Sequence, residues 1–391
     1  VDTQQLRYPY RSELLIVQPT PFCNLACSYC YLRDKDDTDR LAVETLRLAL
    51  VEILGSGLIS VPTTLVWHAG EPLALPVAYF RTLLECVRQV DEKRLIRHSV
   101  QTNGTTLTQE WCDLLLEYDF DVGVSIDGPR EIHDAKRVDR NGRGSFDRGM
   151  RGLNLLIENK IRNHIIAVVS RPTLQDPDAT LDFFAKLGVY RIGFNLEEIE
   201  GVNARSEAMG DEDLVTRFFE KAHRLHVAKN SPVSIREFDQ VYRLIAQAPA
   251  QRGNVEFVNF NEQVRPFGIV SLDHKGNLST FSPELLGQPS AEYNGFSFGS
   301  VHTDGLAGFF SSGAFLSAFQ AIQRGVARCA ADCAYFSFCG GGSPSNKLYE
   351  NGTFDSTETF YCRTKVKIPF AIALAALEGA SPATSLAHET F

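Results

Sequence analysis

Seven of the nine cysteines in this 391-residue chain fall into two groups, one near each end. Thiols so spaced are metal-ligand candidates. The first group is Cys23, Cys27 and Cys30, in the run Phe22-Cys23-Asn24-Leu25-Ala26-Cys27-Ser28-Tyr29-Cys30-Tyr31. Three thiolates at these intervals can wrap one compact centre. A closed zinc site or an ordinary iron–sulfur cluster wants four protein ligands, and no further Cys or His follows until His68. Three ligands on a four-iron cluster leave one iron open to an outside molecule, which suits chemistry rather than structural support; a zinc knuckle is the plainer alternative. The second group is Cys329, Cys333 and Cys339, followed after 22 residues by Cys362. Four thiolates complete a four-iron cluster with no open site. Gly340-Gly341-Gly342 would let backbone N–H groups approach its sulfurs. A four-cysteine zinc ribbon is the alternative here, although its cysteine pairs are usually separated by two residues. Cys86 and Cys112 sit among leucines in amphipathic stretches and read as core.

The elements that must position these groups follow from hydrophobic periodicity. Short β-rich runs at 14–18, 64–68, 97–101, 121–126, 165–169 and 191–195 are each followed by a helical pattern, at 43–54, 77–90, 108–118, 146–159, 179–187 and 211–228. Six βα units in series predict an α/β fold: a parallel sheet with helices outside, doubly wound or curled into a partial (β/α)6 barrel. Function should then gather at the C-terminal strand ends. Cys23 follows the first strand, Gly70-Glu71 the second and Asn103 the third, while Ser125 and Asp127 close the fourth. After about residue 235 the rhythm changes. Runs at 267–272 and 278–281 flank Asp273-His274-Lys275-Gly276-Asn277, the pattern of a hairpin. The expected organisation is a barrel over 1–235, a smaller loop-rich domain over 236–370, and a C-terminal helix and tail over 371–391.

Composition narrows the class. No apolar run is long enough to cross a bilayer, and no signal-peptide pattern opens the chain, so a cytoplasmic protein without membrane association is expected. An odd cysteine count in such a setting argues against a disulfide framework. The net charge of −9 argues against a nucleic-acid binder and would suit a basic peptide.

The first cysteine run resembles the signature of the radical S-adenosylmethionine (SAM) superfamily, Cys-x3-Cys-x-aromatic-Cys after a first strand. The resemblance implies that Cys23, Cys27 and Cys30 hold a 4Fe–4S cluster whose open iron is chelated by the SAM amino and carboxylate groups. The reduced cluster then cleaves SAM to a 5′-deoxyadenosyl radical. It also implies that Tyr29 lies against the adenine. Gly70-Glu71-Pro72 looks like the family's glycine–glutamate motif, with Ala69 where a glycine is more usual, and its backbone would hold the methionine amino group. Gln101-Thr102-Asn103-Gly104 resembles the third-strand motif that places polar groups near SAM. Ser125-Ile126-Asp127-Gly128-Pro129 and the following His133-Asp134-x-x-Arg137 resemble the segment that contacts the ribose and, through the arginine, the SAM carboxylate. A planar guanidinium fork suits that carboxylate.

The C-terminal half resembles the SPASM extension of peptide-modifying radical SAM enzymes, with a departure. A full SPASM domain has seven or more cysteines and two auxiliary clusters, whereas four are present here, implying one auxiliary 4Fe–4S cluster on Cys329, Cys333, Cys339 and Cys362. The combination of Ser282-Pro283-Glu284-Leu285-Leu286-Gly287 with Cys339-Gly340-Gly341-Gly342-Ser343-Pro344-Ser345-Asn346-Lys347 looks most similar to GrrM/OscB-type maturases, three-residue cyclophane synthases acting on glycine-rich precursor peptides. The resemblance implies a carbon–carbon crosslink between an aromatic ring and a β-carbon, an external electron donor such as flavodoxin or ferredoxin, and a carboxylate to take the ring proton. Glu284 is the first candidate for that base and Asp273 the second. Thioether or formylglycine formation on the same scaffold, and a non-catalytic iron–sulfur or zinc protein, are the alternatives.

Overall fold

The computed structural model describes residues 11–251 and 261–379. Its centre is one ten-stranded sheet: β1 (Leu14–Val17), β2 (Thr63–Trp67), β3 (Ile96–Thr102), β4 (Asp121–Ser125), β5 (Asn163–Val169), β6 (Arg191–Leu196), β7 (Ser234–Ile235), β8 (Ile269–Leu272), β9 (Asn277–Thr280) and β10 (Gly299–Ser300). The order across it is β10-β9-β8-β1-β2-β3-β4-β5-β6-β7. From β1 through β7 every neighbouring pair is parallel. Parallel pairing needs a crossover between strands, and the helices Val43–Gly55, Val77–Val90, Gln109–Glu117 and Phe146–Glu158 supply it. Alternating burial along β1 and β2 (one face fully closed, the other half-open) keeps one side of each strand in the core. The large buried rings include Trp67, Phe80, Phe120, Phe184 and Phe194, in a core that runs on into Phe281, Phe298, Phe309 and Phe315.

That continuity includes the hairpin. Its first strand, β8, pairs in parallel with β1, with Leu14 opposite Ile269 and Val17 opposite Leu272. Ser12 Oγ also donates to the Phe267 carbonyl at 2.7 Å. An unpaired β1 edge would leave backbone donors and acceptors without partners. The four residues of β8, Ile-Val-Ser-Leu, are all buried, as expected of a strand inside a sheet. The sheet therefore spans the boundary expected near 235.

Ahead of the second cysteine group runs a long helix, Gly313–Asp332, opened by Ser312, whose hydroxyl accepts from the Phe315 N–H. Phe315, Ala318, Ile322, Val326 and Cys329 form its buried stripe. A Cβ on Gly325 would lie 2.3 Å from the Phe354 carbonyl oxygen, so the glycine admits that close backbone approach. The C-terminal helix runs Ile368–Leu377, starting three residues before the expected 371, and the rest of the expected tail, 380–391, lies outside the described residues. Among the described residues no helix is long and apolar enough to cross a membrane.

Candidate functional site

The loop after β1 carries the first cysteine group, and backbone hydrogen bonds fix it from two sides. Cys23 N–H donates to Lys35 O at 3.1 Å, Ala26 N–H to Val138 O at 2.8 Å and Ser28 N–H to Lys136 O at 3.0 Å. Arg140 adds two bonds to the Cys23 carbonyl, 2.6 and 3.0 Å long. The three cysteines line a cavity of about 280 Å³ together with Tyr29, Ala69, Gly70, Glu71, Gln101, Asn103, Ser125 and Arg137. All of the cofactor-binding residues expected from sequence except Asp127 therefore meet at one place.

Their geometry divides them into groups facing the cavity and groups bracing it. Ala69 and Gly70 form a tight turn with φ of 68° and 69°. A Cβ at Gly70 would sit 2.4 Å from Thr20 O, so only glycine fits there, while Ala69 bears a left-handed conformation that costs about 1 kcal/mol. The Glu71 carboxylate, 1 % exposed, accepts from Thr102 Oγ1 (2.6 Å), Asn103 N (2.7 Å) and Leu73 N (3.0 Å), and so fastens the β2 end to the β3 end. Asp127 stands behind the wall. One of its oxygens accepts from Val168 N at 2.9 Å, the other from the Tyr29 hydroxyl at 2.5 Å and from Arg137 Nε at 3.0 Å. Its carboxylate is spent on orienting Tyr29 and Arg137. Arg137 lies over the Tyr29 ring, 5.4 Å from its centroid, with Nη1 4.0 Å from Cys27 Sγ. Gln101 donates to Ser125 Oγ at 2.9 Å, and Asn103 Nδ2 donates to Asn24 Oδ1 at 2.9 Å.

The thiols show what this cavity suits. Burial, with Glu71 and the neighbouring cysteines adding to it, pushes Cys23 up to about 12, and burial raises Cys27 despite Arg137. Three thiolates gathered here therefore need added positive charge, which a metal centre supplies. Among the described residues, neither cysteine group brings three sulfurs within 4.8 Å of one another. Zinc bound at about 2.3 Å per sulfur would hold them about 3.8 Å apart. In neither group are three sulfurs all as close as one zinc ion would hold them.

The second group lines a separate cavity of about 480 Å³. Cys329 and Cys333 end the helix Gly313–Asp332, Cys339 ends a short turn of helix, and Cys362 opens a π-helical turn, Cys362–Lys367. Burial raises Cys339 although the Gly341 and Gly342 N–H groups donate to its sulfur. Lys347, 4 % exposed, points its Nζ at Cys329 Sγ, 3.5 Å away. Among the described residues no carboxylate forms an ion pair with Lys347, so its counter-charge has to come from the sulfur side. The four thiols, the glycine N–H groups and this ammonium fit an anionic iron–sulfur cluster.

Between the two cysteine sites runs a third cavity, of about 540 Å³, whose wall includes Cys339 and Gly342 at one end. At the other end Asn195, Glu198, Glu200 and Glu284 line both it and the first cysteine cavity. Burial pushes Glu198 up to about 7 against the 2.8 Å hydrogen bond from Asn346, with Glu284 adding to the rise. Burial likewise raises Glu200 and Glu284. Arg236 and Lys365 reach the same wall, but both are paired with Glu237. Glu198 and Glu200 escaped the sequence reading; the available signal was the run Glu197-Glu198-Ile199-Glu200 immediately after β6. Asp273, the second candidate base, does not join this wall. Its carboxylate accepts from Lys275 N (2.9 Å), Asn277 N (2.9 Å) and Asn277 Nδ2 (2.8 Å), which closes the hairpin turn and leaves it no place at the cavity.

A parallel βα sheet with a three-cysteine cavity at the C-terminal ends of its first strands defines a class. The family model of the Radical SAM superfamily matches residues 17–184, and that part of the chain is a radical SAM domain. It is 37 % identical to the uncharacterized protein sll1766 of Synechocystis sp., over 94 % of this chain and 92 % of that protein. The serine-type anaerobic sulfatase-maturating enzyme of Bacteroides thetaiotaomicron is 35 % identical over 44 % of this chain and 43 % of its own length, so the match spans less than half of that enzyme. Among solved structures, anSMEcpe with bound AdoMet and Cp18Cys peptide shares the fold at a TM-score of 0.74 and 22 % identity, covering 94 % of this chain and 98 % of that one.

Proposed function

We propose that the protein is a radical SAM maturase that crosslinks a precursor peptide, joining an aromatic ring to a β-carbon. The observation that carries this reading is the 540 Å³ cavity reaching from the carboxylates beside Cys23, Cys27 and Cys30 to Cys339 of the second group. A peptide lying in it has a site for hydrogen abstraction at one end and an electron sink at the other. The peptide bound by anSMEcpe and the sequence likeness to sulfatase-maturating enzymes support a peptide as substrate.

SAM on a reduced 4Fe–4S cluster supplies a 5′-deoxyadenosyl radical able to take a hydrogen atom from an unactivated carbon. Around it the chain's own residues have separate tasks. The Tyr29 ring offers a stacking face and is held by Asp127. Arg137, with Nε fixed by the same carboxylate and Nη1 beside Cys27 Sγ, has Nη2 to offer a SAM carboxylate. Gln101, Asn103 and Ser125 present polar groups along the cavity wall. After the β-carbon radical has joined the ring, one proton and one electron must leave. Glu284 is the base that takes the proton, with Glu198 and Glu200 beside it. Cys329, Cys333, Cys339 and Cys362 would hold a second 4Fe–4S cluster, which would supply an acceptor for the electron, and an external donor such as flavodoxin or ferredoxin would supply the reducing electron at Cys23, Cys27 and Cys30. The test is anaerobic incubation with SAM, dithionite and a glycine-rich, aromatic-containing precursor peptide. The expected outcome is 5′-deoxyadenosine together with a peptide two hydrogens lighter, whose fragmentation stops between the linked residues. The likeness to sulfatase maturases favours formylglycine formation as the second reading. A product that reacts with a hydrazine probe and fragments throughout would replace the crosslink with that chemistry.

A further inference from the structure

Behind the cysteine loop, two elements meet whose side chains the proposed reaction does not use. Asp37 and Asp39 lie between Cys30 and the helix Val43–Gly55, and His274 lies in the turn between β8 and β9. One ligand atom from each comes within 4.8 Å of the other two, a convergence that neither cysteine group shows. The His274 side chain is 8 % exposed. Its Nδ1 is 3.2 Å from Gln18 Oε1, an oxygen that can only accept, so Nδ1 carries the proton and Nε2 presents a lone pair. That Nε2 is buried without a hydrogen-bond partner, and the Asp37 carboxylate faces it at 3.7 Å. The other Asp37 oxygen accepts from the Asp39 N–H at 2.9 Å, which turns the free oxygen toward the imidazole. A buried lone pair opposite two carboxylates is unfavourable unless a cation stands between them. A proton on Nε2 would serve, but burial lowers the affinity of His274 for it, while Asp273, Asp37 and Asp39 favour the proton and Lys275 opposes it.

We propose that Asp37, Asp39 and His274 form a site for one divalent cation of the Mn2+ or Zn2+ type, oriented by Gln18. One imidazole nitrogen and two carboxylate oxygens are a donor set such ions accept, with water completing the shell. An imidazole whose second nitrogen is fixed by a hydrogen bond is the usual arrangement around a metal-bound histidine. The position gives the ion a task. Residues 35–39 hold the cysteine loop, through Cys23 N–H on Lys35 O at 3.1 Å and Thr20 Oγ1 on Asp39 O at 2.7 Å. His274 belongs to the hairpin paired with β1. A cation here ties the segment that holds Cys23 to the C-terminal half of the sheet.

Mn2+ is the probe, because thiolates take it weakly and the cysteines then do not compete. Chelator-treated, cluster-loaded protein is titrated anaerobically, and free Mn2+ is followed by its six-line electron paramagnetic resonance spectrum. One Mn2+ should bind per chain. Asp39→Asn and His274→Ala should each weaken binding at least about tenfold, and Gln18→Leu by about tenfold. Asp39 is exposed, so its variant keeps the fold even if His274→Ala does not. Mn2+ should also slow tryptic cleavage at Arg33, Lys35 and Arg40 in the wild type and not in Asp39→Asn. Wild-type protein that binds no Mn2+, or binding that Asp39→Asn leaves unchanged, would return His274 to an ordinary ion pair with Asp37. Binding without protection of the loop would overturn the tether.

Discussion

Glu198, Glu200 and Glu284 border one cavity wall, and three carboxylates so close and so sheltered cannot all stay ionised without a cation. The consequence is readable in stability. Burial, with Glu284 beside it, raises Glu198 to about 7 from its ordinary 4.5, so the folded chain binds that proton more tightly than the unfolded chain does. Stability from this group is then full below about pH 4.5, falls as pH rises toward 7, and is lost above it. Glu198→Gln should leave stability unchanged at pH 4 and raise it on the order of 1–2 kcal/mol at pH 8. Denaturant unfolding at the two pH values measures the difference, and equal stability of variant and wild type at pH 8 would mean that water solvates the cluster. The same residues show how far the sequence could be read. The cysteines and the strand-end motifs were legible because their spacing is local. Glu198 and Glu200 were not, because a run of glutamates after a strand looks the same whether it faces water or a cavity. Asp273 shows the converse: an Asp that closes a turn directs its oxygens to the turn's own N–H groups, and a local pattern does not say what else it faces.

At the scale of elements, one buried ion group joins the barrel to the segment carrying Cys362. Glu237, on the helix Arg236–Gln251, accepts from the Phe194 N–H of β6 and pairs with Arg236 (2.6 Å) and Lys365 (2.8 Å). Lys365 belongs to the π-helical turn that Cys362 opens, and its ammonium also donates to the Phe194 carbonyl. Burial alone would raise the Glu237 carboxyl, but Arg236 and Lys365 bring it down to about 2. The stability it contributes is therefore present above its unfolded value of 4.5 and fades as pH falls toward 2. Glu237→Gln keeps the shape and strands two buried cations, so unfolding at pH 7 should cost about 3 kcal/mol less than in the wild type. A loss under about 0.5 kcal/mol, the range of ordinary surface substitutions, would show that the ions are hydrated in solution. None of this linkage was visible beforehand, since it depends on residues more than 120 positions apart. The six βα strands were, each within two residues, because alternation and flanking turns are local signals. The pairing of β8 with β1 joins segments about 255 residues apart, which no local pattern announces. In the helix Gly313–Asp332, Gly325 is there for close packing against the Phe354 carbonyl rather than for turning, which its residue type alone does not reveal.

The whole molecule sets two cysteine sites on either side of one cavity, and the proposed chemistry gives them different work. If the second site only staples the C-terminal half, removing a ligand should unfold that half, because metal-binding energy would be folding energy. The packing argues otherwise. The helix Ile368–Leu377, which follows Cys362, buries Ile368, Phe370, Ile372 and Ala373 by itself and lies against the helices Glu212–Val227 and Arg236–Gln251. The long helix ending at Cys333 is likewise held by Phe315, Ile322 and Val326. Cys362→Ala removes one sulfur from the 480 Å³ cavity and leaves these contacts in place. The variant should therefore stay folded, as judged by circular dichroism and protease resistance, and should still convert SAM to 5′-deoxyadenosine at the first cysteine site. The peptide should lose its hydrogen atom but yield no stable aromatic crosslink, since the ring radical formed with the new bond has no acceptor for its electron. Deuterium at the β-carbon would then appear in 5′-deoxyadenosine without a crosslinked product. Aggregation of the variant would assign the second site to structure. Full crosslinking with only four irons per chain would remove it from the electron path, and the base at Glu284 would then need a different oxidant beside it.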